Sequence, residues 1–266
     1  MNMDIRIKSV QFWVALSLIP YLLFTEAKAT ATEIQADGIR ILEAQLLAEA
    51  IDGRVATMRI LSKNIANDHH IHHWVDNGLE KTKESILLRK LEFVVNEYGL
   101  TSASFADTRS NRYWNHEGFL RVLDPEIDTW YFAFLQSENH NLISVYHDKN
   151  KHRIDLYVNY RQAVGNGLSG VATSFNGVVN MMADSSLGQQ GTVYLVDETG
   201  TIQVHQDLKL LEKTSLQDKV GIDLISNMRN SNTKVLTEHI AEKNINIDIV
   251  ALPNMGWYLV VESAAQ

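Results

Sequence analysis

The amino-acid sequence predicts an α+β fold, in which a long N-terminal helix precedes two stacked lobes, each an antiparallel sheet flanked by helices. Three observations support this prediction. Apolar residues recur at helical spacing from Thr32 to about Asn67, and the pattern changes to short strands after Gly99. One pattern of strand, aspartate, turn and strand also occurs twice, which indicates two modules of the same kind.

The N-terminal helix is predicted from an apolar stripe, and its length exceeds that of most globular helices. The stripe consists of Ile34, Ile41, Leu42, Leu46, Ala50, Val55, Met58, Leu61 and Ile65. We assign residues 30–75 to this spine. A second helix is expected over Lys81–Tyr98, with Gly99 as its C-cap.

The first lobe, residues 76–187, is predicted from strands that polar turns separate. The strands are expected at Ser102–Asp107, Arg112–Trp114, Leu142–Tyr146, Ile154–Arg161 and Gly170–Phe175. The third and fourth of these strands would pair across a polar hairpin at residues 148–151. A short helix over Gly177–Met182 leads to the second lobe.

The second lobe, residues 188–262, begins with a strand, turn and strand over Thr192–His205. Its turn contains Asp197, which matches the place of Asp107 in the first lobe. Two later strands, Asn246–Ala251 and Trp257–Glu262, are expected to pair with each other. We therefore expect the lobes to divide near residues 185–191.

Composition excludes several classes of protein. The 266 residues are 45% hydrophobic and 21% charged, which is typical of a folded chain. The formal net charge of −8 argues against a nucleic-acid partner. Without cysteine there is no disulfide, thiolate zinc site or cysteine nucleophile. Phosphate-binding glycine loops, Ser–His–Asp order and paired catalytic carboxylates do not occur in a supporting context, so we expect no enzyme and no cofactor.

The N-terminus indicates export from the cytoplasm. Arg6 and Lys8 precede an apolar run over Val10–Phe24, which is shorter than the roughly 20 residues of a membrane span. An Ala-x-Ala site follows and ends at Ala29, so residues 1–29 read as a signal peptide cleaved after Ala29. The alternative is an uncleaved signal anchor in the inner membrane. Both place the remainder in the periplasm.

The layout resembles the double Cache domain, a tandem PAS-like sensor of bacterial envelopes. The resemblance spans about Thr32 to Glu262. It rests on the order and spacing of residues 61–69, Trp74, Ser104–Asp107, Trp130–Tyr131, Tyr157–Arg161, Val193–Gly200 and Gly256–Glu262. In this family the first lobe is membrane-distal and the second membrane-proximal. The strand with asparagine, tyrosine and arginine is similar to the sensors of some diguanylate cyclases and histidine kinases.

The resemblance implies a ligand site in the distal lobe, near Trp130 and Tyr131. Amino-acid-binding members have an arginine two residues before the tryptophan, where this chain has Asp128. Asp128 would either favour a cationic ligand or face solvent. Tyr146 matches a ligand-holding position, and Trp114 is expected in an apolar wall.

Strand alternation places Tyr157, Asn159 and Arg161 on one face. This polar face either meets solvent or lines the site, where Arg161 would bind a carboxylate. The predicted ligand is therefore a small organic acid rather than a free amino acid, with the two tyrosines and Asn159 as hydrogen-bonding groups.

A histidine run, His69–His73, invites a metal interpretation. His69 and His73 would share one face of a helix, as would His70 and His73. The alternative is a polar helix end on the surface. Because a structural zinc usually has four closed ligands, we expect no specific metal site.

The sequence thus predicts an extracytoplasmic small-molecule sensing domain of a signal-transduction system, with no output domain in this chain. Its expected partners are a small ligand, the inner membrane or a membrane-bound signalling protein, and a second copy through the long helix. One alternative is a free-standing periplasmic binding or partner protein. Another is a periplasmic enzyme of unrecognised type.

Overall fold

The structure is a computed structural model that describes the backbone of residues 7–148 and 153–265, and the side chains of residues 35–146 and 154–265. Helix α1 (Ile7–Ala66) confirms the predicted long N-terminal helix, although Leu42 and Leu46 of the predicted apolar stripe are exposed. It ends at Ala66, and a separate helix α2 (His69–Asp76) follows. The carboxylate of Asp68 caps α2 by accepting the backbone N–H of His70 at 2.9 Å. The segment assigned to one spine, residues 30–75, is therefore divided by this cap.

The second predicted helix is present as a 3-10 turn (Lys81–Lys83) and α3 (Ser85–Tyr98). Gly99 ends α3 in the left-handed conformation, with φ 59°, as expected for a C-cap. The remaining helices are α4 (Thr129–Gln136), α5 (Asn176–Asp184), α6 (Ser186–Gln190), α7 (Leu216–Val220) and α8 (Leu224–Ser231).

Six antiparallel strands form the first sheet, in the order β3-β2-β1-β6-β5-β4. They are β1 (Ser102–Asp107), β2 (Arg112–Asn115), β3 (Gly118–Val122), β4 (Asn141–Asp148), β5 (Arg153–Arg161) and β6 (Gly167–Ser174). Five of these strands match predicted ones, and β3 was not predicted. Of the hairpin predicted at residues 148–151, residue 148 ends β4 and residues 149–151 lie outside the described residues.

Five antiparallel strands form the second sheet, in the order β8-β7-β11-β10-β9. They are β7 (Gly191–Val196), β8 (Ile202–Val204), β9 (Val235–Ile240), β10 (Ile245–Leu252) and β11 (Trp257–Ala264). Helices α5 and α6 lie between the last strand of the first sheet and the first strand of the second. Two separate antiparallel sheets behind a long helix confirm the predicted fold class.

By internal contacts the chain forms two units, which divide after Leu46. The first unit contains the N-terminal part of α1. The second unit contains the remainder of α1 and both sheets.

One face of the six-stranded sheet packs against α1 and α2. The ring centroids of Trp114 and Trp74 are 5.3 Å apart, and the Ser62 hydroxyl donates to the Val158 carbonyl at 2.6 Å. The other face packs against α4. Its apolar cluster consists of Ala106, Leu123, Tyr131, Phe134 and Leu168. Both faces of this sheet are therefore covered by helices. Polar side chains on either face can for this reason be buried.

Within the residues searched, which are the described ones, no helix is long and apolar enough to cross a membrane. The side chains of the predicted signal segment, residues 1–29, lie outside those that the structure describes. Export and its mode therefore stay predictions.

Candidate ligand-binding site

The candidate site lies on the α4-facing side of the six-stranded sheet. Strand β5 contributes the predicted polar residues of the site. On this strand Val158 and Tyr160 point towards α1, where the Lys63 ammonium lies 5.9 Å from the Tyr160 ring centroid. Side chains alternate along a strand, so Tyr157, Asn159 and Arg161 point to the opposite side. This is the arrangement that the sequence predicted for these three residues.

Asn159 is the most deeply buried of the three, at 6% exposure. Within the part of the chain that the structure describes, its side-chain amide makes no hydrogen bond. The amide atoms are not among the fully buried side-chain atoms that lack a partner, so they remain accessible to solvent although the residue as a whole is buried. An amide of this kind is suited to bind a polar molecule.

Gly170 on β6 lies directly opposite Asn159 and makes room for its side chain. A Cβ atom at Gly170 would be only 2.1 Å from the Asn159 Oδ1 atom and 3.1 Å from the Ser104 hydroxyl oxygen. Ser104, from β1, is 6% exposed and donates to the Gly170 carbonyl at 3.1 Å. Strands β5, β1 and β6 thus bring the Asn159 amide, the Ser104 hydroxyl and the backbone of Gly170 together.

Tyr113 on β2 belongs to the same face, because it pairs with Ala106 and neighbours Ser104. Burial raises the pKa of Tyr113 above its ordinary value, although the Ser104 hydroxyl and the Arg121 charge partly oppose this. The phenol therefore stays protonated near neutral pH and can donate a hydrogen bond.

Arg161 is held by the last turn of α4 and the segment that follows it. Its Nη1 atom donates to the Leu135 carbonyl at 3.0 Å, and its Nη2 atom donates to the carbonyls of Ser137 at 2.9 Å and Asn139 at 3.3 Å. The buried Nε atom makes no hydrogen bond to the described residues. Carboxylate binding by Arg161 stays a prediction, and a carboxylate would have to compete with these three oxygens.

Asp128 lies at the start of α4 and is 2% exposed. Its carboxylate is 2.5 Å from Arg121 on β3 and accepts the backbone N–H of Asp124 at 2.9 Å. The hydrogen bond from Arg121 holds the pKa of Asp128 below its ordinary value. Asp128 thus fixes the entry into α4 through an ion pair, and it does not face solvent as one sequence interpretation had it.

Besides Tyr157, four aromatic residues were predicted for the site, and they lie in different surroundings. Tyr131, a residue of α4, is fully buried, and its hydroxyl donates to the Asn111 Oδ1 atom at 3.0 Å. Trp130 is 39% exposed and Tyr146 is 58% exposed. Trp114 is buried on the helix-facing side, where its Nε1 atom donates to Glu84 at 2.9 Å. The structure therefore does not bring Trp114 together with Asn159.

Ser104, Tyr113 and Gly170 were not among the residues predicted for the site. A signal for Gly170 was present, because a glycine within a strand often marks a close approach of another group. Ser104 and Tyr113 have no comparable signal, since their neighbourhood depends on the pairing of β1 with β2 and β6.

The histidine run does not converge. His69 and His70 are exposed at the start of α2, whereas the His72 Nε2 atom is 2.6 Å from the Ala66 carbonyl oxygen, to which it donates. Among the described residues no group of three or more histidine, cysteine, aspartate or glutamate side chains is placed to hold a metal ion.

Comparison with solved structures shows what the fold is similar to, whereas no family model matches the chain. The ligand-binding domain of the Pseudomonas aeruginosa PAO1 amino acid chemoreceptor PctC, in complex with GABA, has a TM-score of 0.60 at 17% identity, covering 83% of this chain and 96% of that one. The ligand-binding domain of the Pseudomonas fluorescens chemoreceptor CtaA, in complex with L-isoleucine, has a TM-score of 0.59 at 17% identity, covering 88% and 94%.

A domain of a sensory box/GGDEF family protein from Vibrio parahaemolyticus has a TM-score of 0.61 at 12% identity, covering 84% of this chain and 94% of that one. Likeness at these identities is likeness of fold. It confirms the two-lobe arrangement that was expected from the double Cache resemblance.

Proposed function

We propose that this chain is a small-molecule sensing domain that acts outside the cytoplasm and carries out no catalysis. The observation that carries the proposal is the Asn159 amide, which is buried without a hydrogen bond to the described residues. The amide atoms of Asn159 are not among the fully buried side-chain atoms that lack a partner, so solvent reaches them and a polar ligand can take the place of that solvent. The fold of sensory ligand-binding domains supports this assignment.

The proposed binding surface consists of Ser104, Tyr113, Tyr157, Asn159 and Gly170, with α4 as its cover. It offers one amide, two phenols and one serine hydroxyl beside the backbone of Gly170. Such a surface orients a small polar organic molecule by hydrogen bonds rather than by bulk charge. Trp130 and Tyr146, which are more exposed, would lie at the margin.

An organic acid is the ligand class that would use Arg161. Because Arg161 already donates to Leu135, Ser137 and Asn139, acid binding would require at least one of these carbonyls to be released. We therefore propose that an acid binds together with a rearrangement of residues 135–139. A cationic ligand would instead depend on Asp128 and would compete with Arg121 for it.

The test uses the purified full chain, screened by thermal shift with organic acids, amino acids and polyamines and then by calorimetry. Asn159→Ala should weaken the best ligand about tenfold to hundredfold, since it removes a hydrogen bond in a buried site. Asn246→Ala, in the other sheet, is the matched control and should bind as the parent does. Arg161→Ala is a less specific test, because it also removes three hydrogen bonds to the backbone carbonyls of residues 135, 137 and 139.

Two results would count against the proposal. One is that no compound of any class shifts the melting temperature. The other is that Asn159→Ala binds as tightly as the parent while both proteins unfold at the same temperature.

The chain's partners are proposed from its fold and its N-terminus. We infer export through the segment ending at Ala29, with the inner membrane or a membrane-bound signalling protein as neighbour. We also infer self-association through α1, because Ile39, Leu42 and Leu46 on that helix are exposed apolar side chains.

A further inference from the structure

A polar cluster lies at one end of the five-stranded sheet, in the lobe that holds no part of the proposed ligand site. His205 follows β8 and its ring centroid is 5.3 Å from that of Tyr194 on β7. Lys219 on α7 lies 4.5 Å from the Tyr194 centroid and 2.7 Å from the Glu262 carboxylate on β11. Four elements of the lobe therefore meet at this cluster.

The surroundings of His205 fix its neutral form. The Nδ1 atom accepts the backbone N–H of Asp207 at 2.8 Å, so the ring proton is on Nε2. His205 is only 7% exposed, and its Nε2 atom is buried without a hydrogen-bond partner in the residues that the structure describes. A second proton would have to enter at Nδ1, where a backbone donor already points.

The charged and titratable groups around His205 come from each neighbouring element. Burial lowers the pKa of His205 below its ordinary value and the Lys219 charge lowers it further, whereas Asp207 and Glu262 oppose both. Burial, followed by the charge of Glu262, raises the pKa of Tyr194, so β7 presents a neutral phenol. Lys243 also reaches this corner, where its ammonium donates to the Lys219 carbonyl.

We propose that His205 is a proton-binding site through which this lobe responds to acidification. A proton added at Nδ1 turns an acceptor into a donor, which breaks the hydrogen bond from Asp207. The new imidazolium would attract Glu262, which now pairs with Lys219. The change would therefore reach the turn after β8, helix α7 and the last strand, β11.

The direction of the pH effect follows from the burial. Because folding lowers the pKa of His205, the unfolded chain binds this proton more readily than the folded chain does. The stabilisation from the neutral ring is complete above the ordinary histidine value of about 6.5. This stabilisation is lost as the pH falls from about 6.5 through the lower pKa that His205 has in the folded chain.

The experiment compares the full chain with His205→Gln, and with His239→Gln as the control, an exposed histidine on β9 of the same lobe. Between pH 7.5 and pH 5.0 the parent and the control should lose roughly 2–4 °C more in melting temperature than His205→Gln does. Amide exchange, corrected for its intrinsic pH dependence, should increase in residues 205–220 of the parent. An equal loss of melting temperature in all three proteins would overturn the proposal.

A second measurement needs no variant and serves if His205→Gln does not fold. Exchange of the imidazole C2 hydrogen, followed by mass spectrometry of peptides, reports the titration of each histidine in the parent chain. We expect His205 to titrate below pH 6.5 and to exchange slowly. Titration at or above that value would show that the folded state does not disfavour the proton, and the proposal would be wrong.

Discussion

At the scale of single residues, Gly170 and Asn159 depend on each other. The Asn159 side chain occupies the space where a Cβ atom of residue 170 would lie, at 2.1 Å from the Oδ1 atom. We predict that Gly170→Ala turns the Asn159 amide away and weakens ligand binding at least tenfold. The fold should survive, because the displaced atom is at the end of a side chain that can rotate.

Gly177→Ala is the matched control for this prediction, since nothing lies within 4 Å of a Cβ atom built at Gly177. Calorimetry measures the affinity of both variants, and circular dichroism measures their melting temperatures. Equal affinity of Gly170→Ala and the parent would show that the Asn159 amide takes no part in binding.

Single residues also show why only part of the candidate site could be predicted from the sequence. Strand alternation was enough to put Tyr157, Asn159 and Arg161 on one face. The hydrogen-bond partners of Arg161 and the ion-pair partner of Asp128 could not be predicted from the sequence. Arg161 donates to backbone carbonyls, which every residue has, and Asp128 pairs with Arg121 on β3, a strand that was not predicted.

At the scale of elements, helix α1 is bound to the turn between β10 and β11. The Asp52 carboxylate, 7% exposed, accepts the backbone N–H groups of Asn254 at 2.9 Å and Met255 at 3.1 Å, and the Asn254 side-chain amide at 2.8 Å. Arg59, two helical turns later, donates to the Asn254 Oδ1 atom at 2.5 Å. This set of contacts fastens the second sheet to the helix.

We predict that Asp52→Ala lowers the free energy of unfolding by about 1.5–3 kcal/mol, the range for hydrogen bonds to a charged group. Urea titration followed by tryptophan fluorescence measures it. Glu49→Ala, an exposed acidic position on the same helix, should change stability by less than about 0.5 kcal/mol. If both variants unfold at the same urea concentration, these contacts do not stabilise the chain.

Two of the unpredicted elements, β3 and β9, share a physical reason. Both lie at the edge of a sheet, and at least half of the side chains in each are exposed. An edge strand needs no alternation of apolar and polar residues, and alternation is the signal by which strands are predicted. The buried strands β1, β5, β7 and β11 were predicted close to their observed bounds, because their largely apolar segments are bounded by polar turns.

At the scale of the whole molecule, the repeat in the sequence corresponds to a repeat in the structure. Asp107 closes the turn after β1 by accepting the Ser110 hydroxyl at 2.6 Å. Asp197 closes the turn after β7 by accepting the Thr199 hydroxyl at 2.7 Å. In each lobe a carboxylate therefore holds the turn that follows the first strand, and this shared feature is the repeat from which the sequence predicted two lobes.

The last prediction concerns association of two chains through α1. Ile39, Leu42 and Leu46 are 51%, 60% and 66% exposed and lie three and four residues apart, which places them on one face of the helix. This spacing is the one by which paired helices bury their apolar side chains. The double variant Leu42→Glu, Leu46→Glu should therefore convert a dimer to a monomer in sedimentation velocity, while Gln45→Glu, an exposed polar position on the same helix, stays dimeric. A parent chain that sediments as a monomer at high micromolar concentration, or a double variant that still sediments as a dimer, would contradict a dimer held by this face.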